Sequence, residues 1–392
     1  MFEELGNLMF NDEGQTSSLE SEKDIVGIIE DWDNIRKIML KKPPPEFTRD
    51  ELAYLVNFIS KRELMEIYIS TFGELTNIPR NMHRKIRPIG NVSLWSPNNV
   101  SLLAPLTMIL VSISGNKLRI KLGSRGTDLC SPLINWIKEN SKSGPLVEWL
   151  EGELSVKSFD RESELNRKWS EWADVRIVFG SDMGCKSISD LPCSEETRTY
   201  LFSNKVSQIW CTNDDMDSSQ IETLIKVFSI YGTAGCTSPR IVKIIDGSIE
   251  DCENLARRIS ISWDSVISGE IEMHSASQNL LSHQIAKSKG WESWILGKNS
   301  AVIAVGGPEL NPPEGNRILP ITHSSLDDSF TVLPPEIQTI GYSLPNNLLD
   351  KIEENMINYN IKRLVPIGEM HHFGPIWDGM HYWRGMFIEV ES

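Results

Sequence analysis

One thiol stands in a run of small residues, Gly232-Thr233-Ala234-Gly235-Cys236-Thr237-Ser238-Pro239-Arg240. Small neighbours leave room for a planar electrophile to reach sulfur, and glycine lets backbone N–H groups approach a developing oxyanion. A nucleophilic Cys236 is one reading of this run; a small packed cysteine in a tight turn is the other. A thiol with its ordinary pKa of ~8.5 is only a few per cent ionised at neutral pH. Nearby N–H dipoles or cations are therefore expected to lower the pKa of Cys236. Arg240 is a cation placed to help, or a plain surface charge. His371-His372 is a second chemical pair: a general acid near pKa ~6.5, or two packed or solvated imidazoles.

Elements must position these groups. Asp24–Leu40 carries apolar residues at helical spacing and is stopped by Pro43-Pro44-Pro45. Residues 1–22 are acidic and polar, without sustained periodicity, and read as a mobile tail or a loosely docked start. Thr48–Thr71 reads as a second helical stretch, with Thr48 as N-cap and Glu51 completing a capping box. From residue 88 the pattern alternates. Asn91–Trp95, Leu118–Leu122 and Ala173–Phe179 read as strands, with Val100–Ser114 and Thr127–Lys142 as helices between them. This alternation predicts a parallel sheet with crossover helices, whose ligands gather at the carboxyl ends of strands. The turn Ser96–Asn99, the loop Gly123–Thr127 and Gly180-Ser181 fall at such ends.

A second α/β block begins near residue 206. Val206–Cys211 and Arg240–Ile245 read as strands, Ser218–Ile230 and Ser248–Ile259 as helices, and 298–345 as short strands between Gly/Pro turns.

Composition narrows the functional classes. At 392 residues two domains are expected, and 40% hydrophobic with 24% charged residues is ordinary for a soluble protein. A formal charge of −15 argues against non-specific binding to nucleic acid or an anionic membrane. The apolar run Val100–Ile113 is broken by Pro105 and is too short to span a bilayer. Cysteines 130, 185, 193, 211, 236 and 252 show no C-x-x-C pair. Reduced thiols, no metal site and a cytoplasmic location are expected.

Four ordered stretches resemble the acyl-CoA reductase family, typified by the fatty-acid reductase of bacterial luminescence, within the aldehyde dehydrogenase superfamily. They are Arg87–Val100 with Gly115-Asn116 and Lys121; Phe179-Gly180-Ser181; Gly235–Arg240; and Arg363–Gly368 followed by Trp377-Asp378-Gly379. Together they span about residues 85–380. The resemblance implies an aldehyde-dehydrogenase-like α/β fold, with a Rossmann-type cofactor domain, a second α/β catalytic domain and the active site between them. The expected divisions are 1–205, 206–355 and a C-terminal segment 356–392.

Site roles follow from the same resemblance. Cys236 is the nucleophile. Asn99 resembles the asparagine whose amide joins the cysteine's own N–H in an oxyanion hole; plain turn chemistry is the alternative, and Asn98 the alternative residue. Lys121 resembles the lysine that meets the cofactor's adenosine ribose, and Arg125 suits a 2′-phosphate, with a solvated strand end as the rival reading of both. Pro97, Gly180 and Ser181 complete the cofactor side, the latter two near the pyrophosphate. NADPH is expected, with NADH as the alternative. Trp377-Asp378-Gly379 reads as a turn with a packing tryptophan.

The implied reaction is NAD(P)H-dependent reduction of an acyl thioester, on CoA or a carrier, to an aldehyde through a Cys236 acyl-enzyme. No glutamate base for water is placed in Leu201–Cys211, where Ser203-Asn204-Lys205 departs from the usual glycine-containing pattern; this favours thioester reduction. His372-Phe373 is a departure where relatives more often carry Asp-Phe. Alternatives are a CoA-acylating or hydrolytic aldehyde dehydrogenase, an acyl-phosphate reductase, and a non-catalytic acyl-carrier-binding homologue. A homo-oligomer and an acyl-transferring partner protein are also expected.

Overall fold

The computed structural model describes residues 19–73, 84–124, 126–233, 235–267, 273–298, 300–315 and 317–391. Arg125 and most of the expected N-terminal tail lie outside them; the first described helix, Leu19–Met39, begins within the stretch read as tail. The chain divides into two compact units. One comprises Met1–Phe179, Met183–Leu201 and His381–Ser392; the other comprises Gly180–Asp182 and Phe202–Met380.

The first unit contains β1 (Arg84–Pro88), β2 (Asn91–Trp95), β3 (Lys117–Leu122), β4 (Leu154–Ser158), β5 (Val175–Phe179) and β6 (Arg198–Phe202). Five of these form a sheet in the order β4-β3-β2-β5-β6, with β4, β3, β2 and β5 mutually parallel. The chain winds outward from β2 to β3 and β4, then returns to pair β5 with the other edge of β2. Strand order thus reverses between β2 and β5, where open parallel sheets form a ligand crevice beyond their carboxyl ends. The crossover helix Leu103–Ser114 is buried at all twelve positions. Such a helix has no polar face, so its start cannot be read from periodicity. Gly115, at φ 71, ends it in the left-handed conformation. The helix Leu19–Met39 packs on it through Trp32, whose Nε1 donates to Ser112 Oγ at 2.9 Å.

The expected single helix over Thr48–Thr71 is two, Arg49–Phe58 and Lys61–Phe72. Thr48 and Glu51 form the predicted capping box. The break comes at Ser60, whose hydroxyl accepts from the Glu63 N–H and caps the second helix.

The second unit is built on β7 (Val206–Cys211), β8 (Pro239–Ile245), β9 (Glu292–Leu296), β10 (Ala301–Val305), β11 (Ile318–Ser324), β12 (Ile337–Ser343) and β13 (Arg363–Pro366). Their order is β13-β12-β7-β8-β11-β10-β9; every pair is parallel except β10 with β9. Helices Ser218–Tyr231 and Ile249–Val266 bury Leu224, Ile225, Phe228, Leu255, Ile259 and Trp263 against Ile209, Val242 and Ile244. Sheet positions covered on both faces read as continuous apolar runs, as in Val242–Ile245, where only Lys243 interrupts. The last strand, β14 (Phe387–Glu391), pairs antiparallel with β1 within the first unit.

Candidate active site

The cysteine run joins helix Ser218–Tyr231 to β8. Gly232 leaves the helix at φ 56, and the Ser238 N–H donates to the Gly235 carbonyl at 3.1 Å. Cys236 and Thr237 are thus the central residues of a tight turn. Its compactness depends on Gly235, because a Cβ there would lie 2.9 Å from Ser238 Oγ and against the Tyr231 ring. Three further bonds pin the turn. Ser207 Oγ on β7 donates to the Cys236 carbonyl at 2.7 Å, and Thr233 Oγ1 donates to the Gly315 carbonyl at 2.5 Å. Thr237 Oγ1 lies 2.8 Å from Nδ1 of His371.

This turn sits at the amino-terminal edge of the parallel sheet. Ser207 on β7 is level with Pro239, Ile337 on β12 with Val206, and Thr339 with Arg363 on β13. Residues just before or at the starts of these strands therefore share one edge: Lys205, Cys236, Gln338 and Lys362. The carboxyl-end rule that guides the first sheet does not find them.

Cys236 is partly exposed, while Cys130, Cys185, Cys211 and Cys252 are buried and Cys193 is exposed. Burial nonetheless dominates its ionisation and, together with the Asp378 carboxylate, pushes the thiol up to about 12. The backbone N–H groups of Thr237 and Cys236 and the Gln338 side chain pull the other way and are outweighed. The expectation of a lowered thiol pKa is thus corrected: the N–H dipoles are present, but desolvation and a neighbouring carboxylate exceed them. Arg240 is exposed at its residue surface, and desolvation lowers its guanidinium pKa while Cys236 and Glu314 partly offset this. Cys236 thus figures among the groups acting on Arg240, whereas burial and Asp378 dominate at the thiol itself.

The residue the sequence did not single out is Asp378. It occupies a turn in which Asp378 and Gly379 have φ 50 and 73, closed by paired backbone hydrogen bonds between Trp377 and Met380 at 3.0 and 2.9 Å. Positive φ at both central residues is the type I′ pattern that Asp-Gly favours. Trp377 packs on Phe373 with ring centroids 5.0 Å apart, as its reading as an anchor requires. The carboxyl beside it has a chemical environment. Burial raises the Asp378 pKa to about 6, against the attraction of Lys205 and Lys362 and a hydrogen bond from Gln338.

The histidines separate. His371 Nε2 lies 2.8 Å from the Val227 carbonyl, which only accepts, so Nε2 carries the proton and Nδ1 accepts from Thr237. Desolvation brings its pKa down to about 4, and Tyr231 meets its ring edge-on at 5.1 Å. This is a packed neutral imidazole. His372 is 3.8 Å from Glu369. Arg363 fastens this stretch by donating to the Met370 and Glu369 carbonyls at 2.8 and 2.7 Å.

The cofactor-side residues lie at the reversal of the first sheet. Pro97 and Asn99 follow β2, and Lys121 lies near the end of β3. A small depression there is lined by Ser96, Pro97, Asn98, Leu122, Gly123 and Thr127. Gly123 and Gly126 press on Pro97-Asn98 so closely that a Cβ on either would crowd Asn98. Asn99 is exposed at the next position. Lys121 is half-buried; its Nζ donates to the Leu122 carbonyl at 3.1 Å and lies 5.5 Å from the Phe159 ring. Desolvation lowers its pKa, with Asp160 opposing. Gly180 and Ser181 follow β5 directly, and nothing lies within 4 Å of a Cβ built on Gly180. Bare backbone beside open space at a strand end is chemistry that suits a phosphate group.

Among the described residues no group of three or more His, Cys, Asp or Glu could hold a metal ion. No described helix is long and apolar enough to cross a membrane.

Comparison with known proteins agrees with this architecture. The family model for acyl-CoA reductase (LuxC) matches residues 31–387. No curated protein matches in sequence. An aldehyde dehydrogenase from Brucella melitensis biovar abortus 2308 superposes with TM-score 0.68 at 11% identity, covering 96% of this chain and 85% of that one. The glyceraldehyde-3-phosphate dehydrogenase GapN of Methanocaldococcus jannaschii, complexed with NADP, superposes at 0.67 with 12% identity, covering 100% and 92%. Aldehyde dehydrogenase 21 of Physcomitrella patens superposes at 0.67 with 13% identity, covering 94% and 85%. At such identities the likeness establishes the fold alone, which is aldehyde-dehydrogenase-like. The family match establishes more: the chain is an oxidoreductase belonging to the acyl-CoA reductase (LuxC) family.

Proposed function

We propose that this protein reduces an acyl thioester, carried on CoA or a carrier protein, to an aldehyde, with Cys236 as the covalent nucleophile. The observation that carries the reading is the Cys236 turn: a partly exposed thiol whose own and next N–H groups act on the sulfur, fixed by Ser207, Gly235 and His371. Cys236 attacks the thioester carbonyl, and the carrier thiol departs. The tetrahedral oxyanion is met by the Cys236 N–H and, in this proposal, by the Asn99 amide. One such donor is worth roughly 2.7–4 kcal/mol in a transition state.

A reduced nicotinamide, when bound, would supply the hydride equivalent for taking the Cys236 acyl group to the aldehyde level. Pro97, Lys121, Gly180 and Ser181 would hold the dinucleotide. Arg125 would take a 2′-phosphate, which makes NADPH the proposed form. Exclusion of water keeps the acyl-enzyme for reduction, and Leu201–Cys211 contains no carboxylate to activate water.

The test is direct. Protein incubated with a series of acyl-CoA thioesters, without reductant, should gain one acyl mass on Cys236 and release CoA. Cys236→Ala should gain none and make no aldehyde when NADPH is added. Acylation or aldehyde formation by Cys236→Ala would sink the proposal. The carboxyl of Asp378 near the thiol gives a second reading, hydrolytic oxidation of an aldehyde, some support. Aldehyde with oxidised cofactor, with and without free CoA, separates the two.

A further inference from the structure

We propose that a cavity between strand β6 and the C-terminal segment 381–389 is a binding site for a phosphomonoester, a phosphate group carried on a small organic body. The site is independent of the Cys236 reading, and its lining residues all belong to the first unit.

The cavity has a volume of about 430 Å³, within the range of small-molecule sites. Arg198, Tyr200, His381, Arg384, Ile388 and Glu389 line it. The Arg198 N–H donates at 2.9 Å to the carbonyl of Asp174, the residue before β5, so Arg198 stands at the amino-terminal edge of the first sheet. Pro97 and Lys121 lie at the carboxyl ends of β2 and β3. The cavity is therefore not the place proposed for the dinucleotide.

Side chains alternate along a strand, so Arg198 and Tyr200 share one face of β6. The C-terminal segment crosses that face. Arg198 Nη1 donates to the Gly385 and Phe387 carbonyls at 2.7 and 2.9 Å, which fixes the guanidinium in place. Gly385 permits the close approach, because a Cβ there would collide with the Tyr200 hydroxyl. The Tyr200 ring meets Tyr382 edge-on at 6.4 Å. The wall is thus set before a ligand arrives.

Its charges do not cancel. Arg384 Nε and Nη2 donate to the two carboxylate oxygens of Glu389 at 2.6 and 3.0 Å, so the acidic group in the wall already has its cation. Arg198 has no carboxylate partner among the described residues; the two backbone carbonyls on it bring no charge. One positive charge is left over. The Tyr200 hydroxyl makes no hydrogen bond among the described residues, and His381 Nδ1 is buried without a partner. Burial and Arg384 hold the His381 imidazole below its ordinary pKa, so the ring is neutral at pH 7 and offers one N–H. A guanidinium fork, a phenol and an imidazole N–H suit an anion that presents three acceptor oxygens. Ile388 and the Tyr200 ring supply apolar surface for the organic body.

The test uses phenyl phosphate and inorganic phosphate as probes of the full chain, with benzoate and chloride at matched ionic strength as controls. Calorimetry measures affinity, and amide hydrogen exchange locates the bound probe. Phenyl phosphate should bind more tightly than benzoate and slow exchange in 198–202 and 381–389. Arg198→Gln should weaken it by about tenfold or more. Tyr200→Phe removes a hydroxyl that no described residue uses; it should weaken binding by about threefold or more at an unchanged melting temperature. Should Arg198→Gln not fold for want of its bonds to Gly385 and Phe387, Tyr200→Phe decides. The proposal is overturned by no binding in wild type, by benzoate bound as tightly as phenyl phosphate, or by wild-type affinity in every variant that folds. Tighter binding of inorganic phosphate than of phenyl phosphate would assign the site to the free ion and overturn the ester. Protection confined to the ends of β2 and β3 would place the phosphate with the dinucleotide and overturn the site.

Discussion

Thr237 donates its hydroxyl hydrogen to Nδ1 of His371 at 2.8 Å, and through this bond a histidine 134 residues away orients the residue next to Cys236. His371→Ala leaves the Thr237 hydroxyl without its partner and opens a space beside Tyr231. The expected cost is ~1–3 kcal/mol of stability in the second unit, with slower acylation of Cys236. Thermal unfolding and adduct formation measure the two. Because the folded imidazole titrates near 4 rather than 6.5, the folded state favours the neutral ring. The stability so gained is present above pH 6.5 and is lost as pH falls from 6.5 towards 4, on the order of 2–3 kcal/mol. His371→Ala should flatten that part of the pH–stability curve, whereas an unchanged curve would show that the ring is solvated.

Asp378 carries the opposite sign. Its folded pKa near 6 lies above the ordinary 3.8, so the folded state favours the protonated carboxyl. The contribution is favourable below pH 3.8, fades between 3.8 and 6, and is a net penalty above pH 6. Asp378→Asn should therefore stabilise the protein at pH 8, by on the order of 1–3 kcal/mol, with no gain at pH 3.5. Denaturant midpoints at the two pH values test this.

The sequence shows the strands well where they are apolar and buried on both faces: Asn91–Trp95 and Val206–Cys211 agree with the structure to the residue. It shows caps where a short side chain precedes the first turn, as at Thr48. Ser60-x-x-Glu63 is an equally legible signal, and it splits what periodicity joins. Strands such as Leu154–Ser158, half-exposed and short, leave little alternation to read. The cysteine turn is legible because its chemistry is local: small residues, a proline and a thiol within nine positions. Asp378 is not, because Asp-Gly has a sufficient local meaning as a hairpin turn. Its second meaning arises only when β12 brings Gln338, and the loop before β8 brings Cys236, to the same sheet edge. The thiol's raised pKa is hidden for the same reason: desolvation is a property of packing, and no spacing encodes it.

Asp33 offers a stability test in the first unit, away from both sites. Its carboxylate lies 2.8 Å from Arg36 and 2.8 Å from Lys37 and accepts from the Lys61 N–H at 3.3 Å. Burial opposes ionisation as the largest single influence, but these partners together hold the pKa down to about 2. The folded pKa is depressed, so the stabilisation exists above pH 3.8 and disappears as pH falls towards 2. Asp33→Asn should cost roughly 1–2 kcal/mol at pH 7 and little at pH 2. Equal losses at both pH values would assign the effect to packing instead of charge.

Gly180 separates cofactor binding from folding. Nothing lies within 4 Å of its virtual Cβ, and its φ is not in the left-handed region, so a side chain meets no protein atom. Gly180→Ala should leave the melting temperature unchanged or raise it slightly, since alanine restricts the unfolded chain by ~0.4–1 kcal/mol. If the pyrophosphate lies against this backbone, the added carbon occupies the phosphate's space. NADPH affinity, read by fluorescence quenching, should then weaken by about tenfold, and more for Gly180→Val. Arg125→Ala should weaken NADPH but not NADH, because only the former carries a 2′-phosphate for a guanidinium to hold. Lys121→Ala, aimed at the ribose, should weaken both alike. A Gly180→Val protein that is folded and binds NADPH as wild type does would move the pyrophosphate away from the end of β5, even with Cys236 chemistry intact.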